Sequence, residues 1–189
     1  MAQLTYSRQF ERGRPGMLGD TSFANDTRSY AALERIVLGT YVSRDANITG
    51  NDAALTIKCP QNAADVGNGV GIALQTSPYA SREIGLFPFY EEGDSVNVLE
   101  RGRAYVLVNT PDIQPYQDLR VITANNATLL LPKGHFSNTG GTVVPNARFV
   151  STARALPLPF QTTTFSEADG VTRAPTTEQY AGYALAEIG

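Results

Sequence analysis

Apolar residues recur at every second position over short stretches of this chain, and Gly, Pro, Asn and Asp separate one stretch from the next. Such alternation puts one set of side chains on one face of an extended strand and the rest on the other. The segment SVNVLERGRAYVLV, residues 95–108, carries it most clearly. Val96, Val98, Ala104, Val106 and Val108 fall on even positions, and Asn97, Arg101 and Arg103 on odd ones. Glu100-Arg101-Gly102 in its middle predicts a reversal of direction, with Gly102 supplying the positive φ of a tight turn. The expectation is a β-hairpin with Glu100, Arg101 and Arg103 exposed at its tip and outer face.

Further strands are predicted at Ala54–Cys59, Val70–Gln75, Leu119–Thr123, Thr128–Leu131, Thr142–Val144, Ala147–Thr152 and Tyr183–Ile188. Many short strands with turn signals every 8 to 12 residues predict a mainly β fold, a compact barrel or sandwich of short antiparallel strands. Asp26 can cap a short helix carrying Tyr30, Leu33 and Val37 near helical spacing, with a strand entering at Ile36. Residues 1–30 read differently. Arg8, Arg12 and Arg14 lie among Gly13, Pro15, Gly16 and Gly19, too much Gly and Pro for a helix or a central strand. They predict an extended N-terminal arm that is ordered only by lying on something else, followed by one β-rich body over residues 31–189. The proline-rich LPLPFQTTTF, residues 156–165, reads as a surface excursion of that body.

Composition narrows the function. A chain of 189 residues with 42% hydrophobic and 17% charged residues buries a real core and carries few surface charges. Its net charge of -3 argues against a nucleic-acid binder, and no run approaches membrane-spanning length. The start lacks a secretory pattern, so synthesis in a cytoplasm is the expectation and the Asn-x-Thr triplets at Asn25, Asn47 and Asn126 are chance. Only Lys58 and Lys133 are lysines, and the other basic residues are arginines, whose planar fork suits interfaces.

The candidate chemistry is thin. His135 is the one histidine, in the turn-like LPKGHFSN, and no nucleophile elbow accompanies it, so a surface-loop histidine is expected. Cys59 is the one cysteine, which excludes an internal disulfide and a thiolate metal cage. Gly67-Asn68-Gly69-Val70-Gly71 precedes a strand and is followed by no long helix, so it reads as a turn and not a phosphate loop. Glu91, Glu92 and Asp94 crowd one acidic turn without the separation of opposed catalytic acids. Phe87, Phe89 and Tyr90 form an aromatic cluster that fills a core or anchors an interface. No catalytic residue, cofactor site or metal site is expected.

The order RGRPGMLGD, ERIVLGTYVSRD, GNGVGIALQ, YEEGDSVNVLERGRAYVLVN, NARFVSTA and GYALAEI resembles the structural cement, or decoration, proteins of tailed bacteriophages. The likeness spans nearly the whole chain and departs from the family pattern at LPLPF and in a long insertion before GYALAEI. It implies a mainly β virion protein that binds the outer face of an icosahedral capsid at capsomer junctions, often as a trimer, with the major capsid protein as partner. On this reading Arg8, Arg12 and Arg14 dock on acidic patches of the shell, and Arg101 and Arg103 contact a neighbouring subunit. The alternative is a virion surface module that binds host carbohydrate or receptor, with exposed aromatics such as Tyr90 as its platform.

Overall fold

The computed structural model describes residues 14–19, 25–45, 47–48, 54–75, 88–125, 131–155 and 182–189. Its strands in chain order are β1 (Asp26–Ala32), β2 (Ile36–Val37), β3 (Tyr41–Ser43), β4 (Thr56–Ile57), β5 (Gly69–Ala73) and β6 (Phe89–Tyr90). They continue with β7 (Ser95–Val108), β8 (Asp118–Val121), β9 (Phe136–Ser137), β10 (Thr142–Phe149), β11 (Arg154–Ala155) and β12 (Gly182–Ile188). One short helix, α1 (Ala63–Gly67), is capped by the Asn62 side chain, which accepts from the Asp65 N–H.

Strands β7, β12, β10, β8 and β9 close on one another into a five-stranded barrel. All its pairings are antiparallel except β7–β9, which is parallel. The alternating residues Ala104, Val106, Val108, Leu119, Val121, Phe136, Val144, Phe149, Ala184, Ala186 and Ile188 fill its interior. Closure removes the free edges that would otherwise invite further pairing.

The remaining strands build a second ring on the same spine. β1 and β5 flank the first half of β7, β4 runs parallel to β1, and β3 pairs with β5. Reciprocal backbone bonds of 2.9 Å between Ser43 and Lys58 join β3 to the chain just after β4 and complete the circuit. Tyr30, Ala32, Ile36, Leu38, Val42, Ile57, Ala73, Val96 and Val98 pack beneath it as a separate core.

The hairpin expected at residues 100–102 does not exist. β7 is one strand of 14 residues that pairs with β1 up to Arg101 and with β12 from Gly102 onward. Gly102 has φ +128, and a Cβ there would overlap the Asn25 side chain, so glycine serves the strand's passage from one ring to the other. The helix expected from Asp26 is also absent. Residues 26–32 form β1, because Tyr30 and Ala32 reach the second core by strand alternation while their odd-numbered neighbours stay exposed. Of the other expectations, most of Thr128–Leu131 and all of residues 156–165 lie outside the described residues.

Candidate functional site

The surface that can act on a partner is built outward from β7. The backbone of Tyr105 bonds to Gly16 and Met17 at 2.8 Å, on the edge opposite β12, and Gly19 N–H donates to the Arg103 carbonyl at 2.8 Å. Gly16 O in turn accepts from Gln75 N–H just beyond β5. Pro15 and Gly16 press against Gly39, where φ is +76 and a Cβ would strike both. The stretch RPGMLG is therefore fastened along the edge of β7 as a turn followed by a bridge from Leu18 to Ala104, and Arg14, exposed, stands at its start. Arg8 and Arg12 lie outside the described residues.

The two arginines expected at the hairpin tip have separate surroundings. Arg101 is exposed at the point where β7 leaves the second ring. Arg103 sits directly opposite Glu187 in the β7–β12 ladder, and its Nε and Nη2 both lie 2.7 Å from Glu187 Oε2. Glu187 Oε1 also accepts from Arg148 Nη2 at 3.2 Å. The Arg103 hydrogen bond, helped by the charges of both guanidinium groups, holds the Glu187 carboxyl below its ordinary range. Arg28 makes a similar cross-strand pair with Glu100, at 3.5 Å, and Tyr30 O–H donates to the same carboxylate. Glu100 is thus engaged within the fold and not presented at a tip.

Beside Arg148 the barrel opens into a groove of about 350 Å³. Its wall is a wide bulge in which β10 advances from Val143 to Arg148 while β8 advances only from Arg120 to Asp118. Pro145, which has no N–H for a ladder, is accommodated in that bulge. Tyr116 stands at the rim, 78% exposed, with Arg148 Cζ 5.5 Å from its ring centroid. Sequence reasoning passed over this groove, because the bulge interrupts the alternation that marks strands.

The groups with chemical potential are buried or isolated. His135 is fully buried, not the surface-loop residue expected. Tyr41 N–H donates to the carbonyl of the neighbouring Gly134 at 2.8 Å, and the His135 Nδ1 lies 2.7 Å from the Pro132 carbonyl. Burial lowers its pKa, and no carboxylate takes part. Cys59 is buried with its pKa pushed up to about 12, mainly by desolvation, which leaves an inert thiol. Among the described residues no group of three His, Cys, Asp or Glu side chains could hold a metal ion. Glu91, Glu92 and Asp94 form an exposed turn, as expected, fastened by Glu91 N–H to Asp94 Oδ2 at 2.8 Å. Tyr90 is no platform: it is buried, and its hydroxyl donates to the Leu74 carbonyl at 3.0 Å. Phe89 is fully buried beside it. Phe87 lies outside the described residues.

What remains is a doubly closed β body with a surface segment of its own N-terminal region, residues 14–19, fastened to β7, which is the build of an adhesive structural part. A family model described as structural cement protein (E217 gp24/Pam3 gp6) matches residues 2–184. The chain belongs to this phage structural cement protein family, whose role is structural and not enzymatic. Its fold is shared by a chain in the capsid of Myoviridae phage XM1, with a TM-score of 0.58 and 16% identity, over 100% of this chain and 98% of that one. No curated protein matches. The protein is a component of the virion capsid.

Proposed function

We propose that this cement protein binds the outer face of an icosahedral capsid at junctions between capsomers, as a homotrimer, with the major capsid protein as its partner. The observation that carries this reading is the anchoring of RPGMLG to β7. Because residues 14–19 are fixed to a rigid body, the thirteen residues before them start from a defined point on the surface. Arg8 and Arg12 in that segment, together with Arg14, supply bidentate donors for acidic groups on neighbouring shell subunits. Ordering a segment on a partner costs conformational entropy, so its contacts form only where the contact area offsets that cost. Several subunits each adding modest contacts raise total affinity through effective concentration.

The test uses shells that lack the protein. Adding purified full chain is expected to raise their resistance to heat or chelator, and no binding with no gain rejects the reading. Deleting residues 1–13, which spares the segment that Gly16–Gly19 fastens to β7, is expected to weaken shell binding at least tenfold without lowering the melting temperature of the free body. Unchanged affinity would remove the arm from the account.

A further inference from the structure

The groove beside β10 has features that cementing does not require. Its two facing backbones both adopt the left-handed conformation at residues other than glycine: Tyr116 has φ +70 and Asn146 has φ +55, and no other non-glycine residue among those described does so. That region is disfavoured for a bulky side chain such as Tyr116, so surrounding structure imposes it there, while Asn146 is of a type that adopts it more readily. Here the imposed bonds are visible: Tyr116 N–H donates to the Phe149 carbonyl at 2.8 Å, and the Asn146 carbonyl accepts from Gly189 N–H at 3.1 Å. Together they hold an aromatic ring up into solvent on one side of the groove and a planar amide residue on the other.

We propose that this groove is a carbohydrate-binding site in which the Tyr116 ring stacks on the C–H face of a pyranose. The argument is chemical. A sugar ring offers one apolar face of C–H groups and a rim of hydroxyls that both donate and accept. The groove supplies one exposed aromatic face, and around it Asp118 and Glu187 accept, Arg148 donates and Asn146 does both. Glu187 is kept ionised and oriented by its two arginines, so its direction does not depend on the ligand. A protein partner fits it less well. Protein interfaces deplete carboxylates at their centre, whereas this groove sets two acids and a base beside its one aromatic and the smaller apolar Val143, Val144, Pro145 and Ala147.

The experiment screens the full chain, free and bound to shells, on arrays of neutral and acidic oligosaccharides of one to four pyranose rings, with titration of the strongest binder. Three variants accompany the wild type: Tyr116→Gly, Tyr116→Phe and Asn146→Gly. Glycine suits the left-handed backbone at both positions, so Tyr116→Gly and Asn146→Gly delete side chains without strain, and unchanged melting temperatures verify this. Expected is sugar binding that falls at least tenfold in Tyr116→Gly, several-fold in Asn146→Gly, and little in Tyr116→Phe, with shell binding equal in all four proteins. Three results would overturn the proposal: no sugar bound at 10 mM, sugar binding indifferent to Tyr116→Gly, or loss of shell binding in Tyr116→Gly without any sugar affinity. Because shell binding is measured separately, this site and the cementing role stand or fall apart.

Discussion

Arg103 and Glu187 face each other across the β7–β12 ladder, with the Arg103 Nη2 2.7 Å from the Glu187 carboxylate and both side chains mostly covered. The pair braces the barrel wall. Arg103→Ala is therefore expected to lower stability by about 1 kcal/mol, a fall in melting temperature of about 2–4 °C, without changing the assembly state. Arg101→Ala, which removes an exposed side chain, is expected to leave the melting temperature within 1 °C and to change the sedimentation or shell-binding behaviour. Thermal melts and sedimentation of the two single variants separate these roles, and a stability loss confined to Arg101→Ala would reverse the assignment.

Acid should act on the fold in two separable windows. Burial depresses the His135 pKa below 6.5, so the unfolded chain takes up the proton first. The stability from keeping this ring neutral is complete above about pH 6.5 and declines as pH falls from there toward the depressed value. Glu187 is likewise depressed from 4.5, so its contribution is complete above about pH 4.5 and is lost as pH falls through its lower folded value. Melting temperatures measured from pH 8 to 3 are expected to fall first below 6.5 and again below 4.5. His135→Leu should flatten the first decline, and a wild-type curve without a drop between pH 6.5 and 5 would contradict the burial argument.

Gly102 should tolerate almost nothing. Its φ of +128 is disfavoured for any L side chain, and a Cβ would collide with the Asn25 side chain, which accepts from the Arg103 N–H at 3.4 Å. Gly102→Val is expected to cost about 3 kcal/mol or to prevent folding. Gly93 provides the control. It also has positive φ, but a Cβ there meets nothing within 4 Å, so Gly93→Asn should cost under about 1 kcal/mol in a denaturant titration.

Strand content was legible in the sequence because period-two alternation reports burial directly: β8 and β12 overlap marked stretches, and β10 joins two that were marked as separate. The error at residues 100–102 came from reading the glycine as a turn, which the alternation allowed. A three-residue turn at 100–102 pairs 98 with 104 and keeps even positions on one face, so the alternation fits a hairpin and a continuous strand alike. The pairing of the first half with β1 and of the second with β12 makes it one strand. At residues 26–37, Tyr30, Leu33 and Val37 sit at helical spacing, but Tyr30 packs in the second core and Val37 in a satellite cluster with Phe89 and Leu107, so tertiary pairing overrode local pattern. The burial of His135 left no local mark, since it depends on Tyr41 and Ile122, each distant in sequence. The groove at Tyr116 was hidden for the same reason: Tyr116, Arg148 and Glu187 meet only once the barrel has closed.

That β7 belongs to both rings has a consequence for how the molecule fails. Both circuits close on this one continuous strand, the second ring on its first half and the barrel on its second. Losing β7 therefore opens both, and the two cores should melt in a single cooperative transition, with calorimetric and van't Hoff enthalpies in agreement. A fastener with no half-open form is either gripping or gone.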